Sequence, residues 1–155
     1  MLDEVDVADV RATLETNCIG AFVCAREAMR VMRQQTPRGG RIINNGSVSA
    51  HVPRPLSAAY TMSKHAVAGL TKSIALDGRA FGISCGQIDI GNAATPMVES
   101  VQRGALQADG SIREEPTFNT ADAARAVVYM ATLPPEANVL SLTVTAANMP
   151  LVGRG

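Results

Sequence analysis

Between residues 41 and 90 the hydrophobic period changes twice. Arg41-Ile42-Ile43-Asn44-Asn45 is a short apolar run that reads as a buried strand. Residues 57–82 then carry Val67, Leu70 and Ile74 at helical spacing, with Ala58, Ala59, Ala66, Ala68 and Gly69 leaving smooth faces between them. Ile83-Ser84-Cys85-Gly86-Gln87-Ile88-Asp89-Ile90 reads as a second strand. A strand, a long helix and a strand make a crossover unit, and its two strands run parallel.

The flanks extend that unit. Residues 3–35 read as one long helix, with Asp6 as its cap and Val10, Leu14, Asn17, Cys18, Ala21, Cys24, Ala25, Ala28, Met29 and Met32 at helical spacing. Residues 120–133 read as a helix capped by Thr120, with Ala124, Val127, Val128 and Ala131 on its apolar face and Pro134-Pro135 as its stop. Val139 to Thr145 reads as a last strand, and 146–155 as loop. Residues 98–119 are polar and hold Gly104, Gly110 and Pro116. They read as a mobile lid or substrate loop with room for one short helix, and without a distinctive charge pair. The expectation is a single α/β domain over 1–155, a partial Rossmann-like doubly wound parallel sheet of about three strands. So thin a sheet leaves at least one apolar edge unpaired, to be covered by another chain or by rearrangement.

Composition excludes several functions. Lys plus Arg equal Asp plus Glu at 14 each, so nothing electrostatic favours nucleic acid or an anionic membrane as the main partner. Aromatics are 3% and Trp is absent, which removes base-stacking platforms. Cys18, Cys24 and Cys85 form no CxxC and lack paired histidines, so they read as reduced thiols and no metal site is expected. No apolar run is long enough for a membrane span, and the N-terminus is acidic, unlike a signal peptide. A reduced, soluble, cytoplasmic protein is expected.

The chemistry sits on Tyr60 and Lys64. Four residues apart on a helix, they share a face one turn from each other. An ammonium that close to a phenol favours the phenolate, and such a phenol can move a proton near neutral pH. Ser47 follows the first strand, at the C-terminal end where open parallel sheets bind ligands. Its hydroxyl can hold the oxygen that gains or loses the proton. His51, in the same loop, reads as an exposed imidazole, and His65 is given no role. Asn17 reads as a core amide bonded to nearby backbone.

Four stretches in order resemble the short-chain dehydrogenases/reductases, over nearly the whole chain. They are Thr16-Asn17-Cys18-Ile19-Gly20-Ala21-Phe22, Ile42-Ile43-Asn44-Asn45-Gly46-Ser47, Tyr60-Thr61-Met62-Ser63-Lys64 and Ile90-Gly91-Asn92-Ala93-Ala94-Thr95-Pro96-Met97. The resemblance implies an NAD- or NADP-dependent oxidoreductase that interconverts an alcohol with a ketone or aldehyde. In it Tyr60 is the general acid/base and Lys64 assists it and bonds the nicotinamide ribose. Ser47 orients the substrate oxygen, and Asn17 holds a relay water behind Lys64. The backbone of Ala93 and the hydroxyl of Thr95 hold the carboxamide, while Ile88 and Gly91 shape the floor beneath the ring. It further implies a homo-dimer or tetramer through helices 3–35 and 57–82, with a small-molecule partner.

The chain departs from the family pattern twice. Ile90 stands where the family has proline, and no Gly-x-x-x-Gly-x-Gly occurs. The resemblance therefore covers the family's C-terminal portion, without the N-terminal βαβ units that grip the pyrophosphate and choose NAD or NADP. Little or no turnover is expected from these residues alone. The alternative is a non-catalytic piece that only folds and oligomerises. A sugar-nucleotide epimerase, which shares the Tyr and Lys, fits less well because the segment after residue 97 is short.

Overall fold

The computed structural model describes residues 1–98 and 103–152. A short turn at Leu2–Glu4 precedes α1 (Val7–Leu14), whose cap is Asp6: its side chain accepts from the Ala8 N–H. The helix therefore starts at Val7, not at residue 3. Nor is it uniform, because Glu15–Ile19 is a π-helical segment that leads into α2 (Gly20–Gln34). Strand β1 (Gly40–Asn45) is followed by a 3₁₀ turn at Val48–Ala50. Helix α3 runs Ala58–Asp77 and stops short of residue 82, a 3₁₀ turn at Arg79–Phe81 and left-handed Gly82 completing the connection. Strand β2 (Ile83–Gly91) has nearly all of its residues buried.

The stretch expected to be a lid contains a small antiparallel hairpin, β3 (Ala105–Leu106) with β4 (Ile112–Arg113). Residues 99–102 of the 98–119 stretch, for which one short helix was allowed, lie outside the described residues, as does the final Gly-Arg-Gly. Helix α4 (Thr120–Thr132) is capped by Asn119, not Thr120, because Asn119 has extended backbone and its side chain accepts from the Ala121 N–H. Its inward face is also rotated from the expected one. Ala123 and Met130 are buried, while Val128 is 59% exposed. Met130, the largest buried side chain of α4, reaches under β2 at Gly86, where a Cβ would meet its Cε at 3.1 Å. Strand β5 is Ser141–Thr145, two residues shorter than expected at its start.

The main sheet has the order β1-β2-β5, all parallel, with Asn45 opposite Ile88 and Ile88 opposite Leu142. Helices cover both faces. Ala25 of α2, Ile74 of α3 and Cys85 of β2 form one core, and Met130 of α4 lies on the other face. Burial raises the Cys85 thiol to about 11, so it stays protonated as a core group. This is the expected α/β, Rossmann-like arrangement. Among the described residues the outer edge of β1 has no strand partner. A groove lined by Ala21, Cys24, Ala25, Ala28 and Met32 of α2 runs beside it. No helix of the described residues is long and apolar enough to cross a membrane.

Candidate active site

The C-terminal end of β1, the start of α3 and the end of β2 meet at one end of the sheet. Lys64, on α3, donates from Nζ to the Asn45 carbonyl at 3.0 Å, two residues before Ser47. The same Nζ lies 5.5 Å from the centre of the Tyr60 ring. Helical spacing thus brings the phenol ring and the ammonium together, and the Asn45 bond brings the ammonium to the end of β1, next to the Ser47 turn. Burial lowers the Lys64 pKa, and the negative charge of Asp89 works against that. Tyr60 is 36% exposed and Ser47 is buried. The Ser47 Oγ accepts from the Ser49 N–H at 3.1 Å, which leaves the hydroxyl proton to be donated.

Asn17 sits in the π-helical segment, where the altered turn re-aims its side chain. Its Nδ2 donates to the Ser63 Oγ at 3.1 Å, and Ser63, which is fully buried, donates to the Tyr60 carbonyl at 2.7 Å. The expected backbone partner for Asn17 is thus replaced by a side chain on α3. Ser63 faces inward, one position before Lys64, and places Asn17 behind the turn that holds Tyr60.

Asp89 is the group that sequence reasoning passed over. It is fully buried, and its Oδ1 accepts from the Ser47 N–H at 2.9 Å and from Gln87 Nε2 at 2.6 Å. Its Oδ2 is 2.8 Å from His51 Nε2. His51 is half exposed, as expected for a loop imidazole, but the loop anchors it on a buried carboxylate. A charged residue between Ile88 and Ile90, in a strand read as buried, was the available signal. Thr71 Oγ1 of α3 lies 3.1 Å from Gln87 Oε1 and accepts from Asn44 Nδ2, so this face of the sheet carries a polar network beside the site.

The loop after β2 holds the remaining expected residues. Asn92 O accepts from the Phe118 N–H at 3.1 Å and Ala94 N–H donates to Phe118 O at 2.8 Å. That parallel bridge turns the Ala93 N–H to the side away from Phe118. Gly91 is needed where it stands, since a Cβ would meet Met149 Sδ at 2.8 Å and Val48 Cγ1 at 2.9 Å. Thr95 is half-buried. Ile88 is 2% exposed, and strand alternation puts it on the opposite face from Asp89. Glu115, in the 98–119 segment, forms a long-range ion pair with Arg54 outside it, Oε2 to Nη2 at 2.7 Å. Among the described residues no three metal-ligating side chains gather.

The model of the family described as short chain dehydrogenase matches residues 1–105. The chain belongs to that family. A 3beta-hydroxysteroid dehydrogenase of Mediterraneibacter gnavus is 38% identical over 98 residues, 63% of this chain and 34% of its own length. An uncharacterized oxidoreductase of Escherichia coli K12 is 47% identical over 78 residues, 50% of this chain and 30% of its own. The crystal structure of an acetoin dehydrogenase from Salmonella typhimurium is 31% identical with a TM-score of 0.74, covering 92% of this chain and 56% of that one. The chain thus spans about a third of these curated dehydrogenase-family relatives and about half of the solved one.

Proposed function

We propose that Asn17, Ser47, Tyr60 and Lys64 are the proton-handling half of an NAD(P)-linked oxidoreductase that interconverts an alcohol and a ketone or aldehyde. One observation carries this reading: Lys64 bridges Tyr60 and the Ser47 turn through the Asn45 carbonyl. A nicotinamide dinucleotide supplies or accepts the hydride when bound. Two features fit such a group. The Ala93 N–H points away from its own backbone neighbours. Lys64 uses one of its three N–H donors on Asn45 among the described residues, leaving donors for a ribose diol. Tyr60, Lys64, Ala93 and Thr95 would hold the nicotinamide half, with Gly91 and Ile88 as structural support. Whether the nucleotide is NAD or NADP lies with residues outside this site.

In reduction, the Tyr60 hydroxyl gives its proton to the substrate oxygen, and in oxidation it takes that proton back. Ser47 donates to the same oxygen, its turn held by Asp89. Lys64 keeps its ammonium 5.5 Å from the centre of the Tyr60 ring throughout. Asn17, fixed on Ser63, has its Oδ1 to hold a relay water. The substrate is a small alcohol or carbonyl compound, and the buried, reduced Cys85 fits a cytoplasmic location.

The test joins the nucleotide-binding half of a solved relative ahead of Met1 and follows NADH or NADPH oxidation with small ketones. Turnover that falls at least about 100-fold in Tyr60→Phe supports the reading. Turnover indifferent to Tyr60→Phe contradicts it. A second reading, a non-catalytic piece that folds and assembles, draws on the unpaired β1 edge and on exposed Ile19, Phe22 and Val23 along the π segment and α2. The same exposed face supports a homo-dimer or tetramer under either reading.

A further inference from the structure

The polar cluster around Glu115 lies outside the proton-handling residues, yet it joins the three segments that border them. Glu115 Oε2 accepts from Arg54 Nη2 at 2.7 Å and from Asn92 Nδ2 at 2.9 Å. Its Oε1 accepts from Gln107 Nε2 at 3.1 Å. Arg54 Nη2 also donates to Asn92 Oδ1 at 2.7 Å, and Asn92 Nδ2 to the Pro116 carbonyl at 3.2 Å. Arg54 belongs to the turn that leads into α3 and Tyr60. Asn92 belongs to the loop after β2, and Gln107 to the β3–β4 hairpin. The Glu115 side chain is 1% exposed, so these bonds form away from water.

Backbone conformation gives a second, independent sign. Among the described residues, Leu56 (φ 58°) and Asn92 (φ 59°) are the non-glycine residues with positive φ. Both adjoin this cluster: Leu56 is two residues after Arg54, and Asn92 is a member of it. A left-handed backbone away from glycine persists when its surroundings over-determine it. Here both polar ends of the Asn92 side chain are held, its Oδ1 by Arg54 and its Nδ2 by Glu115 and Pro116. The peptide that follows Asn92 carries the Ala93 N–H, so the Asn92 dihedrals set where that donor points.

We propose that Glu115 and Arg54 are positioning residues for the Gly91–Thr95 loop: they lock Asn92 in its left-handed conformation and thereby aim the Ala93 amide. The role toward a nicotinamide carboxamide rests on the proposed function; the role toward the loop does not. Through Gln107 the same carboxylate ties the hairpin to that loop, so the two segments hold or release together.

Hydrogen exchange on the 155-residue chain tests this. The Ala94 and Phe118 amides, which donate to Phe118 O and Asn92 O, report the loop directly. In Glu115→Ala they are expected to exchange at least about tenfold faster, with Gln107, while the Cys85 and Gln87 amides of β2 keep their wild-type rates. Glu115→Gln keeps the side-chain volume and supplies the same comparison if the alanine variant fails to fold. Arg54→Lys, which retains the charge but not the planar guanidinium whose Nη2 serves both Asn92 and Glu115, is expected to lie between the two states. Unchanged rates at Ala94 and Phe118, or an equal rise across β2, would overturn the proposal. An NADH titration of the same samples separates the two roles. Faster loop exchange with weakened NADH shifts at Ala93 supports both. Faster loop exchange with NADH shifts unaltered, or absent in wild type, supports the positioning and overturns its link to the nicotinamide.

Discussion

A side chain at position 46 would run into the Asp89 carboxylate, and its Cβ would sit 2.6 Å from Gln87 Nε2. Gly46 is what lets that carboxylate reach the Ser47 N–H. Gly46→Ala is expected to displace Asp89 and destabilise the chain by about 1–3 kcal/mol, read as a lower urea midpoint. Arg54→Met removes the guanidinium that bonds both Glu115 and Asn92 and is expected to cost about 3 kcal/mol, whereas adding Glu115→Leu should recover most of that loss. For Glu115, burial alone would raise the pKa, but hydrogen bonds from Asn92, Arg54 and Gln107 outweigh it and hold the carboxyl below its ordinary value of 4.5. A depressed carboxyl contributes stability above its unfolded value and loses it as pH falls through the folded one. The wild type should therefore lose stability below about pH 4.5 more steeply than Glu115→Gln, in urea titrations from pH 6 to pH 3. Parallel curves would contradict that. Tyr60, Lys64 and Ser47 were legible because their relation is local or strand-terminal. Asp89 with His51, 38 residues apart, and Arg54 with Glu115, 61 apart, were not, since only the tertiary fold brings them together.

At the scale of elements, the hydrophobic period located the main-sheet strands and the long helices, while their ends and faces followed from contacts it does not encode. Asp6 caps α1 as its position suggests, but at α4 two polar residues stand side by side. Asn119 caps because its ψ of 133° is extended, outside the helix. Asn119→Ala should cost about 1 kcal/mol and Thr120→Ala clearly less, by thermal or urea unfolding. The π segment at Glu15–Ile19 leaves no compositional mark, since it changes the turn without changing the apolar spacing much. Its consequence, Asn17 turned onto Ser63, is the part of the site that periodicity alone misplaces. The rotation of α4 has a similar origin: Gly86 opens space on β2, and Met130 fills it.

For the whole molecule, the parallel three-stranded sheet follows from the alternation of strands and helices, because crossover helices force parallel pairing. The same thinness leaves the β1 edge unpaired among the described residues, beside a face of α2 on which Phe22 is 47% exposed. Sedimentation is expected to find a dimer or tetramer, and Phe22→Lys to shift it toward monomer; a well-folded monomer at high concentration would contradict this. The most direct test of the site as a whole is a nuclear magnetic resonance titration of the ¹⁵N-labelled chain with NADH and NADPH at millimolar concentration. The account predicts that amide signals of Lys64, Ala93 and Thr95 move together, and that Lys64→Met weakens the response at least about tenfold. No movement at those three residues, or the same movement in Lys64→Met, would contradict it.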